Sequence, residues 1–514
     1  MEAAPKSQSK ACCRICYPLA GTLSVLLALA SGLVLRLWML KQFFNVNGDP
    51  LIYGDLAKNL LLHGSYALSG SGGALDPSLI RLPGYPLFLA LCFRLFGMEN
   101  YVSAAWVQIG LELAGCLLLA DFARRIVPAR LKSGVPGDGS LSLGWNSGVP
   151  GDGSLSLGWN SGAAHCTLWL AALCPFTAVY AAEPLTEELT LFSIALALWS
   201  AARFRAQPGW AAALEFTFAV TFAALLRPDG ALVAVALAPA LLIGLGRKEG
   251  DGSISSKMLT RMVVICVLLA LMPFAAWSWR NWQVFHVFQP LAPRRANNPG
   301  EIPHPGWERW VKSWCLDFNS TTEVFWNVPG DSLEMDKLPS RAFDSPAQQA
   351  ETARLADVYN VNKELTPEID ARFDRLADER IAAHPLRSTL WLPLGRMADM
   401  WLRPRVENLP IELDWWNYGE HQDETCLSWA YVGLNALYLL LGVAGLCLRP
   451  RFWRAMLAYM LLRSALLTTI AAPEARYTLE CFPMLFALGG VALYRLTRVV
   501  LLVVLRVKTP AGRG

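Results

Sequence analysis

Apolar runs of about twenty residues recur along this chain, separated by short clusters of arginine and lysine. This pattern constrains the fold more than any other feature, because a run of that length at the helical rise matches the hydrocarbon core of a bilayer. Such runs lie near residues 19–40, 101–122, 163–182, 188–203, 210–226, 230–246, 258–279, 428–447, 455–471 and 478–496. They predict an all-α polytopic membrane protein with about ten transmembrane helices. With 54% hydrophobic and only 17% charged residues, the chain has too little polar surface to cover a soluble globule of 514 residues. The formal net charge of +4 is small, and the basic residues sit in short clusters between apolar runs, which suits loop anchors better than a nucleic-acid-binding face.

The basic clusters give the orientation. Lys6/Lys10/Arg14, Arg124/Arg125/Arg130/Lys132, Arg203/Arg205, Arg247/Lys248/Lys257, Arg449/Arg451/Arg454 and Arg495/Arg498/Arg506/Lys508 fall on alternate connections. The positive-inside rule places all of them, and both termini, on the cytoplasmic side. Residues 84–97 then do not cross, being short and interrupted by Arg94, and read as a juxtamembrane or re-entrant helix. The first 280 residues form a transmembrane core whose first external loop is 41–100. Residues 281–427 form an external cap, and 428–514 return to the membrane and end in a cytoplasmic tail. Within the cap, Glu368–Ala383 reads as a solvated helix.

Several features carry no chemistry. Residues 133–146 recur identically at 147–160, a tolerated duplication in a Gly/Ser/Pro-rich cytoplasmic loop. Most of the twelve cysteines sit in apolar runs as small hydrophobes, and only Cys315 and Cys426 are placed for a disulfide. The N-terminal run resembles a signal peptide but continues to Leu40, so it reads as an uncleaved first helix. His63 before Gly64 marks a helix end, and the twenty tryptophans read mainly as interfacial anchors. No metal ligands are assigned, and no cofactor beyond a lipid-linked substrate; a divalent-ion requirement is left open.

Carboxylates at span ends are costly unless solvated or paired, which makes them the place to look for function. The first external loop opens with Asp49-Pro50-Leu51-Ile52-Tyr53-Gly54-Asp55 and continues to Arg81-Leu82-Pro83-Gly84-Tyr85. The third span ends externally at Glu183-Pro184-Leu185-Thr186-Glu187-Glu188, and the last begins after Arg476-Tyr477. Two acidic sites distant in sequence are therefore expected on one face. Carboxylates there suit proton abstraction from an attacking hydroxyl, and the arginines suit a departing phosphate. Competing local readings exist: Asp49 before Pro50 could cap a helix, and Arg227 with Asp229 reads as a membrane-end ion pair.

At these residues the chain resembles the C-type membrane glycosyltransferases, in particular the dolichyl-phosphate-mannose protein mannosyltransferase and aminoarabinose transferase families, glycosyltransferase family 39 and its bacterial relatives. The family pattern D-x-x-x-Y-x-[ED]-x-A reads Asp49, Tyr53, Asp55, Ala57, and [KR]-x-P-x-Y reads Arg81, Pro83, Tyr85. Glu183-Pro184 and Thr186-Glu187 match the acidic end of the third span, Arg227-Pro228-Asp229-Gly230 matches R-P-[ED]-G, and Arg476, Tyr477 and Pro483 match the terminal pattern. The resemblance implies an inverting transferase of the bacterial inner membrane that moves a hexosyl or pentosyl group from a polyprenyl-phosphate-linked donor to an acceptor on the periplasmic side. The acceptor (lipid, glycan or protein) does not follow from it. It further implies Asp49, Glu183, Asp55 and Glu187 as catalytic candidates, with Tyr53, Arg81, Tyr85, Arg476 and Tyr477 binding substrate. The competing class is a transporter or flippase for a lipid-linked or anionic substrate, which would more often show inverted repeats and broken mid-membrane helices.

Overall fold

The computed structural model describes residues 8–127, 162–243, 255–293 and 295–508. The tandem repeat at 133–160 and the basic residues Lys6, Arg130, Lys132, Arg247 and Lys248 lie outside them. The chain is an all-α polytopic membrane protein. Among the described residues six helices are long and apolar enough to cross a bilayer: Gly21–Phe43, Tyr101–Ile126, Glu187–Ala206, Ser256–Phe285, Gln422–Cys447 and Ala475–Val500. A seventh span results if Gly162–Ala172 and Pro175–Ala182 are taken together across their 44° bend. The bend has a local cause, since Pro175 opens the second piece and supplies no N–H to continue the first.

The difference from about ten spans is one of length. The runs expected at 210–226 and 230–246 form apolar helices, Trp210–Leu226 and Pro228–Leu242, too short for that class, and the run at 455–471 forms the 15-residue helix Trp453–Leu467. Pro228 and Asp229 divide the first two by a tight 3-10 turn. Residues 84–96 form a helix of 13 residues, roughly 20 Å long and too short to span. The first helix runs unbroken from Gln8 to Phe43, through the run that resembles a signal peptide.

Two compact units are present, one of Met1–Ala292, Leu437–Tyr459 and Glu480–Gly514, the other of Pro293–Ala436 and Met460–Leu479. In the first, residues 49–96 fold as a helix, Asp49–His63, a two-stranded antiparallel hairpin, Ala67–Ser69 with Leu75–Pro77, and the helix Gly84–Phe96. Gly64 ends the first of these in the left-handed conformation at φ 64°, as the His63-Gly64 pair predicts. A small core of Leu56, Tyr66, Leu79, Leu82 and Trp277 seats the hairpin against the C-terminal part of the helix Ser256–Phe285. Arg280 clamps it there, donating to the Ser78 carbonyl at 2.8 Å and to the Tyr66 carbonyl, with its guanidinium against the Tyr66 and Trp277 rings.

Gly84 sets how the loop meets the membrane helices. A Cβ there would stand 2.6 Å from the Leu225 carbonyl oxygen, so only glycine lets this helix start touch the end of Trp210–Leu226. Gly84→Ala is expected to cost about 1–3 kcal/mol, as overpacking against rigid backbone does. Thermal unfolding of the detergent-solubilised protein would measure it, and an unchanged midpoint would show that the loop is free to move aside.

The second unit has its own core of Trp307, Trp310, Trp314, Tyr359 and Phe373, all nearly or fully buried. These tryptophans therefore pack a soluble-type core and are not interfacial anchors. The helix Pro367–Ala383 forms as expected but is not simply solvated, because Ile369, Phe373, Leu376 and Ala377 pack into that core. Cys315 is buried and Cys426 exposed, and both thiols are free.

Candidate active site

Asp49 occupies the first turn of its helix, and the cap position is taken by Gly48 at φ 64° with no side-chain cap. The capping reading of Asp49 is thereby replaced: its carboxylate turns to Arg81, whose Nη2 stands 2.6 Å from Oδ1. Both side chains keep partial exposure, about a third for Asp49 and a quarter for Arg81. The backbone around Arg81 is held by Tyr66, whose hydroxyl donates to the carbonyls of Arg81 at 3.1 Å and Leu82 at 3.3 Å.

Arg81 also lies 5.9 Å over the ring of Tyr53, which meets Tyr85 edge-on at 5.0 Å. The Tyr85 hydroxyl donates to Gln108 Oε1 at 2.7 Å, and Gln108 Nε2 donates to the Glu183 carbonyl at 3.5 Å. A second link is backbone to backbone, from Asn45 N to the Ala182 carbonyl at 3.3 Å. The two acidic segments expected to share a face are thus joined within one unit, through the first-loop helices and the helix Tyr101–Ile126.

Glu187 is buried at the start of the helix Glu187–Ala206 and pairs with Arg227 Nη1 at 3.1 Å. Arg227 reaches two further carboxylates with Nε, Glu480 at 3.1 Å and Asp229 at 3.5 Å. The Arg227–Asp229 pair read from sequence is therefore part of a four-residue cluster. Gly230 makes the turn that presents it, since a Cβ there would meet the Ala223 carbonyl oxygen at 2.2 Å. The phenol of Tyr53 feels both ion-pair groups: burial, then the charge of Asp49, push it up to about 12 against the pull of Arg81, with Glu187 and Arg227 adding smaller opposed effects. It is a neutral hydrogen-bond donor at physiological pH.

Asp55 is placed differently. It accepts from Ser69 N at 2.6 Å and Ser69 Oγ at 2.7 Å and lies 3.4 Å from Lys58 Nζ. Burial opposes ionisation, yet these Ser69 and Lys58 contacts together hold the carboxyl below its ordinary range. Its oxygens are occupied in pinning the hairpin to the helix, so it supports the loop. Asp55→Ala is expected to speed amide hydrogen exchange over residues 66–77 and to cost roughly 1.5 kcal/mol, the scale of a hydrogen bond to a charged group. Protection unchanged in that segment would show that Asp55 does not hold the loop.

Arg476 and Tyr477 belong to the second unit. Both side chains engage Glu474, a buried carboxylate that the sequence reading did not consider, and the Arg476 guanidinium lies 5.5 Å over the Tyr477 ring. Gln108 and Glu480 were also missed. Neither stands in a motif, and only a polar residue in an otherwise apolar helical run marks them. Among the described residues, Asp414, Glu420 and His421 of the second unit bring potential ligand atoms within 4.8 Å of one another, in an exposed surface loop.

No family model and no curated protein matches this chain. Three solved structures are similar. The archaeal oligosaccharyltransferase AglB from Archaeoglobus fulgidus, in complex with an inhibitory peptide and a dolichol-phosphate, is 11% identical with a TM-score of 0.44. The match takes in 96% of this chain and 52% of AglB, so the chain spans about half the length of that protein. ArnT from Cupriavidus metallidurans is 14% identical in its apo state and bound to undecaprenyl phosphate, with TM-scores of 0.31 and 0.33, over 93% of this chain and 78% of ArnT.

Proposed function

We propose that the chain is a glycosyltransferase that moves a sugar from a polyprenyl-phosphate-linked donor to an acceptor hydroxyl on the external face of the membrane. The observation that carries this reading is the Asp49–Arg81 pair, joined through Tyr53, Tyr85 and Gln108 to the Glu183–Glu187 segment. It unites a candidate base, a candidate phosphate-binding cation and a second acidic group on the residues of the family-like motifs.

In this mechanism Asp49 accepts the proton of the acceptor hydroxyl as its oxygen attacks the anomeric carbon. The bond from that carbon to the phosphate oxygen breaks, and its electron pair leaves with the polyprenyl phosphate. Attack opposite the leaving group inverts the configuration. Arg81 stabilises the charge on the departing phosphate with two parallel hydrogen bonds. Arg81 cannot do this while it holds Asp49, so the donor phosphate displaces the carboxylate and frees it as the base. Glu187 with Arg227, and the Glu183 turn, orient the acceptor. About ten spans, both termini in the cytoplasm and a site on the periplasmic side of an inner membrane complete the proposal.

The test uses the full chain in vesicles with a radiolabelled polyprenyl-phosphate sugar and a soluble hydroxyl acceptor. Acceptor-dependent release of polyprenyl phosphate with a labelled glycoside is expected. Label crossing sealed vesicles without any new glycosidic bond would instead establish a transporter.

A further inference from the structure

In the second unit, residues 385–402 form one helical stretch, Arg387–Trp391 as a π-helical turn and Leu392–Leu402 as α-helix, roughly 27 Å in length. Its faces are the reverse of those of a helix in water. The inward stripe carries Leu392, Arg396 and Met400, all buried, and Arg396 donates to the carbonyls of Lys312 and Cys315 at 3.0 Å each. Arg387 likewise turns back to Asp344, at 2.6 and 2.7 Å. The outward stripe is Leu386, Leu390, Trp391, Leu394 and Leu402, exposed by 39–67%. A helix whose charges point into protein and whose large apolar side chains point out is stable against hydrocarbon and unfavourable against water.

Its neighbours in the same unit include a candidate membrane span. Asn435, on the span Gln422–Cys447, donates to the Trp401 carbonyl at 2.7 Å, and Trp401 Nε1 donates to Ser464 Oγ at 3.0 Å on the helix Trp453–Leu467. Those helices expose Leu427, Trp429 and Leu461 in turn. The outward stripe thus belongs to a segment that packs against a span, with Trp391 suited to the headgroup boundary.

We propose that residues 386–402 are an interfacial helix that lies on the bilayer with Leu386, Leu390, Trp391, Leu394 and Leu402 inserted among the lipid acyl chains. The protein therefore contacts the membrane through this segment as well as through its spans.

The full-length wild-type chain, reconstituted in phosphatidylcholine vesicles that include a lipid with a photoactivated diazirine on its acyl chain, tests this directly. After irradiation and trypsin digestion, three peptides are compared: Ser388–Arg396, the span peptide Met262–Arg280, and Leu355–Lys363, which holds the exposed Val358 and Val361 of the same unit. Lipid adducts on Ser388–Arg396 are expected at the level of the span peptide and at least roughly tenfold above Leu355–Lys363. Adducts no higher than those on Leu355–Lys363 would overturn the proposal. Cross-linking of Ser388–Arg396 to a second copy of the chain, in place of lipid, would overturn it equally.

Discussion

Asp49→Asn is expected to leave expression, folding and donor-lipid binding nearly intact while reducing sugar transfer at least a hundredfold, the scale for removing a catalytic acid-base group. The substitution keeps the size of the side chain and its place in the first turn of the helix, and it removes only the charge and the proton-accepting power. Arg81, no longer held by a carboxylate, is free to meet the donor phosphate, so donor affinity should stay the same or rise. That separation distinguishes a base from a structural ion pair. A variant with wild-type turnover would remove Asp49 from the chemistry, and one that loses donor binding together with turnover would make the Asp49–Arg81 pair a scaffold.

The second large effect is expected at Arg227. Its guanidinium is the cation shared by Glu187, Asp229 and Glu480, and two of those carboxylates, Glu187 and Glu480, are almost wholly buried. Arg227→Met keeps much of the volume and leaves like charges facing one another at low solvent exposure, where breaking a buried pair typically costs about 3–5 kcal/mol. A clear fall in the thermal midpoint of the detergent-solubilised protein is expected, together with loss of transfer. Arg227→Lys retains the charge but not the planar fork that reaches several carboxylates at once, so it should recover stability only in part. If Arg227→Met unfolded at the wild-type temperature, the cluster would have to be protonated or hydrated enough to need no cation.

Several site residues were legible from local pattern. Asp49, Arg81, Tyr53 and Tyr85 stand in two short motifs of the same loop, and the fold brings those motifs into contact across the intervening hairpin. Tyr85 is nonetheless not simply a substrate-binding side chain, since its hydroxyl is committed to Gln108. Asp55 occupies a motif position as good as that of Asp49, and nothing in the spacing reveals that Ser69, across a hairpin turn, takes both its oxygens. Arg227 was visible as a pair with Asp229, two residues away; its bonds to Glu187 and Glu480, 40 and 253 residues distant, were not.

By itself the sequence determined that this is a helical membrane protein, roughly where its apolar helices lie, and which loop carries the charged residues. Hydropathy sums over neighbouring residues, so those features are written locally and survive any arrangement of the helices. The tertiary structure alone decided which carboxylate meets which arginine, that Trp307, Trp310 and Trp314 build a core, and that the helix ending at Leu402 turns its charges inward. Each of these is a choice of partner across long stretches of chain, set by the close packing of helices at points such as Gly84, and no run of consecutive residues encodes it.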